Sequence, residues 1–153
     1  MDRESLIKIA DVVKKYDLLV ISDEIYAELM YDEPFTSIAE LPGMRERTIV
    51  INGFSKGFAM TGWRLGFMAG PKVFMEQLLK LHQYTIMTAP TASQYAALAG
   101  LKNNWQETVE SMRLSYEERR NYLHHALETM GLPCYIAKGA FYVFPEISQF
   151  GLS

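Results

Sequence analysis

The chain has 153 residues, of which 49% are hydrophobic and 22% are charged, the composition of an ordinary globular protein. Its net charge is −3 and its Lys and Arg residues are interleaved with Asp and Glu, which argues against a nucleic-acid partner because such partners need a basic surface. A single cysteine excludes an internal disulfide, and no stretch has the pattern of a signal peptide or a membrane span, so we expect a cytoplasmic protein.

The first part of the chain predicts a helix followed by a strand. Residues 2–15 have apolar side chains at helical spacing, with Asp2 as a plausible cap. The apolar run at residues 18–22 is typical of a strand covered on both faces in a parallel α/β sheet. It ends at Asp23, and ligands bind at this end of the strands in open α/β sheets.

Two more strands are predicted further along. Residues 31–47 have the prolines and weak periodicity of a loop with short helical turns. Residues 48–52 form a second buried-type strand, and the long link before it predicts parallel pairing with a right-handed connection. Residues 63–69 form a third strand, whose short link to the second predicts antiparallel pairing.

The second half of the chain is mainly helical. Helices are predicted from Pro71 towards Tyr84, from Pro90 through Ala99, and over residues 105–130, where Gly131 is placed to end the last helix. Residues 135–145 predict a strand, a turn and a strand. We therefore expect an α/β fold in which a mixed, mostly parallel sheet with covering helices is followed by a long helix and the start of an α+β unit. The predicted domains are residues 1–104 and 105–153.

One stretch concentrates residues suited to chemistry. Residues 53–66 read G-F-S-K-G-F-A-M-T-G-W-R-L-G and include Lys56 directly after a strand. A lysine amine forms a Schiff base with a carbonyl when enough of it is neutral. A cofactor bound in this way, pyridoxal phosphate, needs a carboxylate at its pyridine nitrogen, a donor at its ring hydroxyl and an anion site for its phosphate. Asp23 and Tyr26 could supply the first two.

The anion site could come from Ser55 and Arg64, since a guanidinium group suits a phosphate and keeps its charge. Each residue alone also has an ordinary structural explanation, such as a solvated charge, a cap or a packing contact. Their combination favours the cofactor interpretation. No metal site is predicted, because the three histidines have no ligand spacing with Cys or carboxylates.

The stretch 53–66 resembles the pyridoxal-phosphate attachment signature of class I/II (fold-type-I) aminotransferases. The segment I-S-D-E-I-Y at residues 21–26 is similar to their segment that carries the pyridine-nitrogen aspartate and the ring-hydroxyl tyrosine. The A-P-T loop, the long helix and G-A-F-Y-V-F-P resemble later parts of the same enzymes. The segments D-E-I-Y and A-M-T-G-W-R-L-G are most similar to the aspartate/aromatic amino acid aminotransferase branch.

The resemblance implies a large cofactor domain followed by the start of a small domain, amino acid and 2-oxo acid substrates, a homodimer, and no nucleic-acid or membrane partner. It implies that Lys56 carries the Schiff base and moves the substrate proton, and that Asp23, Tyr26, Ser55 and Arg64 hold the cofactor. Gly53 departs from the pattern, because many members have a phosphate-binding serine there.

Several family features have no counterpart in these residues. They include a glycine-rich phosphate turn, an aromatic residue stacked on the ring and the arginine that clamps the substrate carboxylate. The sequence is therefore interpreted as an internal fragment, and we expect it to have little or no activity alone. Two alternatives stay open: a fold-type-I lyase or synthase, and a truncated, non-catalytic product.

Overall fold

A three-stranded sheet with strand order β1-β2-β3 carries the fold of the structure, a computed structural model that describes residues 1–151. The strands are β1 (Val20–Asp23), β2 (Thr48–Gly53) and β3 (Gly66–Ala69). β1 pairs with β2 in parallel, and β2 pairs with β3 in antiparallel orientation. Both predicted orientations are confirmed. The carboxyl ends of β1 and β2 consequently lie at the same edge of the sheet.

Two strand predictions need correction. β1 begins at Val20, two residues later than expected, and its alternating burial leaves Ile21 69% exposed. The prediction of a strand covered on both faces is therefore wrong for the described residues. β3 begins at Gly66 because the preceding Thr61–Trp63 segment forms a 3-10 turn and Arg64 adopts a left-handed backbone with φ of 51°. A residue in that conformation cannot continue a strand.

The first helix, α1 (Arg3–Lys15), provides half of the residues of the hydrophobic core cluster. Asp2 caps it by accepting a hydrogen bond of 2.8 Å from the backbone N–H of Ser5, as the sequence predicted. Its buried face packs against the segment that links β1 to β2, where the predicted loop and short 3-10 turns are present. The resulting hydrophobic cluster consists of Leu6, Ala10, Val13, Ile38, Leu41 and Met44.

Three further helices follow the sheet: α2 (Lys72–Thr85), α3 (Thr91–Lys102) and α4 (Trp105–Thr129). α4 spans 25 residues, within one residue of its predicted end, and Gly131 follows it with a left-handed φ of 73°. No helix within residues 1–151 is long and apolar enough to cross a membrane.

The segment after α4, called the tail below, does not form the strand, turn and strand predicted over residues 135–145. It makes only isolated bridges, one between Cys134 and Pro145 and one between Met30 and Gly139. A ladder cannot extend from the first because proline has no N–H to donate. Gly139 instead pairs with a segment far from it in the sequence, so the tail is attached to the loop after β1.

A buried arginine on α4 connects this helix to the tail and to the loop after β1. Arg120 is only 7% exposed and pairs with the Asp32 carboxylate at 2.8 Å. It also donates to the carbonyl of Ala137 at 2.8 Å and lies 4.7 Å from the ring centroid of Tyr31. This Arg120 anchor fixes the tail beside the sheet edge that carries Asp23.

Candidate active site

Lys56 lies in a closed turn between β2 and β3. The carbonyl of Lys56 accepts a hydrogen bond of 3.1 Å from the N–H of Ala59, and the carbonyl of Ser55 accepts one of 2.8 Å from the Thr61 hydroxyl. The lysine side chain is half-buried. Because the turn is closed by its own hydrogen bonds, Lys56 has a defined position at the edge of the sheet.

Two glycines allow the close backbone approaches on which this turn depends. Gly53 faces Gly66 across the β2–β3 pair, and a Cβ on Gly53 would lie 2.9 Å from the Cα of Gly66. A Cβ on Gly57 would lie 2.8 Å from the Cβ of Glu28. Side chains at these positions would displace the turn that carries Lys56.

Two aromatic rings lie beside the Lys56 amine. The Nζ atom is 5.9 Å from the ring centroid of Tyr26 and 5.4 Å from that of Phe141. The two rings meet edge to face, with centroids 5.4 Å apart. The structure therefore brings Lys56 and Tyr26 together, as predicted for one site. The sequence reasoning missed Phe141, although the G-A-F-Y string that contains it had been noted.

The Tyr26 hydroxyl pairs with the hydroxyl of Tyr142 at 2.6 Å. Burial raises the pKa of Tyr26 to about 12, and the hydrogen bond with Tyr142 and the nearby Asp23 carboxylate contribute in the same direction. The phenol is thus protonated at neutral pH and able to donate. Tyr142 was also missed, since nothing in its local sequence indicates contact with residue 26.

Asp23 ends β1 at the same sheet edge at which β2 leads into the Lys56 turn. Its Oδ1 atom accepts a hydrogen bond of 3.2 Å from the N–H of Ile25, and the side chain is exposed. The neighbouring carboxylate, Glu24, is buried and accepts hydrogen bonds from the hydroxyls of Ser37 at 2.5 Å and Ser22 at 3.0 Å. Glu24 therefore fixes the chain at this point, while Asp23 faces outward.

A pocket of about 480 Å³ adjoins Asp23 and Tyr26. Its opposite wall comes from the tail, including Lys138 and Ala140. Lys56, Ser55 and Arg64 are not among its lining residues, so this pocket brings together only Asp23 and Tyr26 of the predicted site. Within residues 1–151 no group of three His, Cys, Asp or Glu side chains could hold a metal ion.

Ser55 and Arg64 lie on either side of Thr61. The Thr61 hydroxyl bonds the Ser55 carbonyl, and the Arg64 guanidinium donates to the Thr61 carbonyl at 3.1 Å. Arg64 is exposed and has no carboxylate partner in the described part of the chain. The buried hydroxyl of Ser93 on α3 holds this loop by donating to the Trp63 carbonyl at 2.6 Å. The guanidinium is thus available to an external anion.

Comparison with known proteins gives a consistent result. The family model described as aminotransferase class I and II matches residues 1–150. A putative aminotransferase, YugH, from Bacillus subtilis is 57% identical over 99% of this chain and 39% of its own length. Aromatic-amino-acid aminotransferase 2 of Thermococcus litoralis is 47% identical over 100% of this chain and 40% of its own length.

Solved structures agree with the sequence comparison. An aromatic aminotransferase from Pyrococcus horikoshii superposes with a TM-score of 0.95 at 48% identity, covering 99% of this chain and 41% of that one. Aspartate aminotransferase from Thermus thermophilus with maleate gives a TM-score of 0.91 at 33% identity, covering 97% of this chain and 39% of that one. The chain therefore spans about 40% of the length of these relatives.

Proposed function

The chain belongs to the class I and II aminotransferase family, and we propose on this basis that it forms part of a pyridoxal-phosphate-dependent aminotransferase. The reaction would exchange an amino group between an amino acid and a 2-oxo acid. The observation that carries the proposal is the position of Lys56, on a closed turn with its amine 5.9 Å from the centroid of the Tyr26 ring and at the sheet edge that presents Asp23.

The residues at this edge fit pyridoxal phosphate in both charge and hydrogen bonding. The exposed Asp23 carboxylate can bind a protonated ring nitrogen, and the Tyr26 phenol can donate to the ring oxygen. Arg64 is an exposed cation with no carboxylate partner in residues 1–151, which suits a phosphate, and Ser55 belongs to the same loop.

When bound, the cofactor supplies a ring that withdraws electrons from the α-carbon of the substrate. Lys56 would hold the cofactor through its amine and then, once released, carry a proton to and from the substrate. Asp23 would keep the ring nitrogen protonated, which maintains the electron withdrawal. Tyr26 would orient the ring by donating a hydrogen bond to the ring oxygen.

Substrate choice and assembly are proposed from the relatives. Their printed names include aromatic-amino-acid and aspartate aminotransferases, so we assign the amino donor to the aromatic or acidic amino acids. A homodimer, a cytoplasmic location and the division into large-domain residues 1–104 and small-domain residues 105–153 belong to the same proposal. The family membership supports the homodimer and the domain division, and the single cysteine in the sequence supports the cytoplasmic location.

The attachment residue is tested by incubating the protein with pyridoxal phosphate, reducing it with borohydride and mapping the labelled peptide. We expect the label on Lys56 and its loss in Lys56→Ala. The matched control is Lys72→Ala, which removes a lysine that is 88% exposed on α2 and should leave the labelling unchanged. Label at another lysine, or none in the wild-type protein, would refute the cofactor proposal.

A further inference from the structure

The Tyr26 hydroxyl has a hydrogen-bond partner within the protein. Its oxygen lies 2.6 Å from that of Tyr142, and either hydroxyl can act as the donor. The two rings meet edge to face with centroids 5.7 Å apart, and Phe141 contacts both of them. Phe141 therefore packs against both rings of the hydroxyl pair, while Tyr142 remains 61% exposed.

The backbone that carries Tyr142 is fixed by the loop after β1. The N–H of Ala140 donates to the Leu29 carbonyl at 2.8 Å, and the N–H of Tyr31 donates to the Lys138 carbonyl at 3.0 Å. Between these bonds, Gly139 lies so close to the loop that a Cβ there would be 2.6 Å from the sulfur of Met30. Tyr142 is thus placed against Tyr26 by the fold and not by a chance side-chain contact.

The pairing matters because each hydroxyl carries only one proton. If Tyr26 donates to Tyr142, it has no proton left for another acceptor. If Tyr142 donates to Tyr26, the Tyr26 proton is free, and the bond it receives makes it a stronger donor. The charged groups that face the pair are the Lys56 amine, from the turn after β2, and the Asp23 carboxylate, at the end of β1.

We propose that Tyr142 is a positioning residue whose hydroxyl determines where Tyr26 sends its proton. In the ligand-free protein Tyr142 accepts that proton. When a ring oxygen is present beside Tyr26, Tyr142 becomes the hydrogen-bond donor to Tyr26. The O–H of Tyr26 then donates its hydrogen bond to the ring oxygen. The second statement rests on the proposed function, whereas the first concerns the protein alone.

The test uses Tyr142→Phe, which keeps the ring packing and removes only the hydroxyl. In the ligand-free protein, NMR of ring-labelled tyrosine follows the titration of Tyr26, assigned with Tyr26→Phe. We expect the Tyr26 pKa to fall from about 12 towards the ordinary 10.0 without reaching it, because burial, the larger cause, remains. Tyr122→Phe is the matched control, since that tyrosine is 73% exposed on α4.

A second measurement follows the absorbance of bound pyridoxal phosphate against pH. A hydrogen-bond donor at the ring oxygen stabilises the deprotonated form of the bound cofactor. Weakening the Tyr26 donor should therefore raise the pH at the midpoint of the spectral transition. We expect Tyr142→Phe to raise it in the same direction as Tyr26→Phe, by a smaller amount, and Tyr122→Phe to leave it unchanged.

The outcomes separate this inference from the proposed function. An unchanged Tyr26 titration in Tyr142→Phe overturns the inference, as does an unchanged spectral midpoint in a protein that binds the cofactor. A shifted titration in a protein that binds no pyridoxal phosphate supports the hydroxyl coupling and refutes only the proposed function.

Discussion

Lys56 owes its position to neighbours that have no side chain. Gly53 and Gly57 flank it, and each lies where an added Cβ would be less than 3.0 Å from another atom. Contacts this short require movement of the neighbouring chain, and Glu28, which faces Gly57, would be met at its Cβ and Cγ near the backbone. A substitution at either glycine would therefore move Lys56 without changing the lysine itself.

We expect Gly57→Ala to lower the free energy of unfolding by about 1 to 3 kcal/mol, the usual cost of overpacking. It should also reduce the borohydride labelling of Lys56, because the turn must shift away from Glu28. Gly62→Ala is the control in the same loop, since nothing lies within 4 Å of a Cβ at that position. Equal stability and equal labelling in the two variants, measured by denaturant unfolding and peptide mapping, would contradict this expectation.

At the scale of single residues, the sequence predicted which side chains lie together only where neighbouring strands bring them together. Lys56 and Tyr26 meet as expected, because parallel strands place their carboxyl ends together. Phe141 and Tyr142 could not be predicted, since their contacts depend on how the tail docks. The roles of all the predicted site residues stay predictions until a ligand is bound: those of Lys56, Asp23, Tyr26, Ser55 and Arg64.

At the scale of elements, α4 acts as the connector between the loop after β1 and the tail. The Arg120 anchor makes this connection with one ion pair and one carbonyl bond. The Arg120 guanidinium, through its hydrogen bond, holds the pKa of the Asp32 carboxyl below its ordinary value of 3.8. The folded state therefore favours the ionised form of Asp32.

This shift predicts a pH-dependent loss of stability in Asp32→Asn. Because the Asp32 pKa is lowered on folding, its contribution is fully present above pH 3.8 and is lost as the pH falls through the folded pKa. We expect the variant to be less stable than the wild type at neutral pH and the difference to disappear in acid, as measured by thermal unfolding across pH. The control, Asp17→Asn, removes a carboxylate that is 92% exposed and should have little effect at any pH. A pH-independent difference for Asp32→Asn would contradict the assignment.

Elements were predictable from the sequence where periodicity and end signals agree. α4 shows this at its end, where Gly131 follows the helix with a left-handed backbone. β3 was predicted three residues too early, because an apolar run does not reveal the left-handed conformation of Arg64. The tail failed for another reason: its backbone bonds go to residues 29–31, and no local pattern encodes such distant pairing.

At the scale of the whole molecule, much apolar surface is uncovered within residues 1–151. α2 buries none of its residues, and on it Leu79 and Leu81 are each 65% exposed and Tyr84 is 90% exposed. Leu81 and Tyr84 are three residues apart and therefore lie on one face of α2, and an exposed apolar patch of this kind marks a contact with another protein surface. The sequence predicted this helix but could not show that it lacks a covering layer.

We therefore expect the 153-residue chain to self-associate, with a sedimentation coefficient that rises with concentration. Tyr84→Ser should weaken the association, because it removes the most exposed apolar side chain of α2. Tyr122→Ser, on the charged surface of α4, is the control and should not weaken it. A chain that sediments as a monomer at every concentration would contradict the expectation.

The attachment of the tail also sets an order of events during synthesis. The hydrogen bond from the Tyr31 hydroxyl to the Ala140 carbonyl joins residues 109 positions apart. Lys56 and its turn are synthesised after Tyr26 but long before Phe141, so at first the lysine has only one of the two rings that lie beside its amine in the fold. The closure of that long loop carries an entropic cost that only the late contacts offset. A nascent chain released before residue 141 would consequently hold Lys56 with the Tyr26 ring but without that of Phe141.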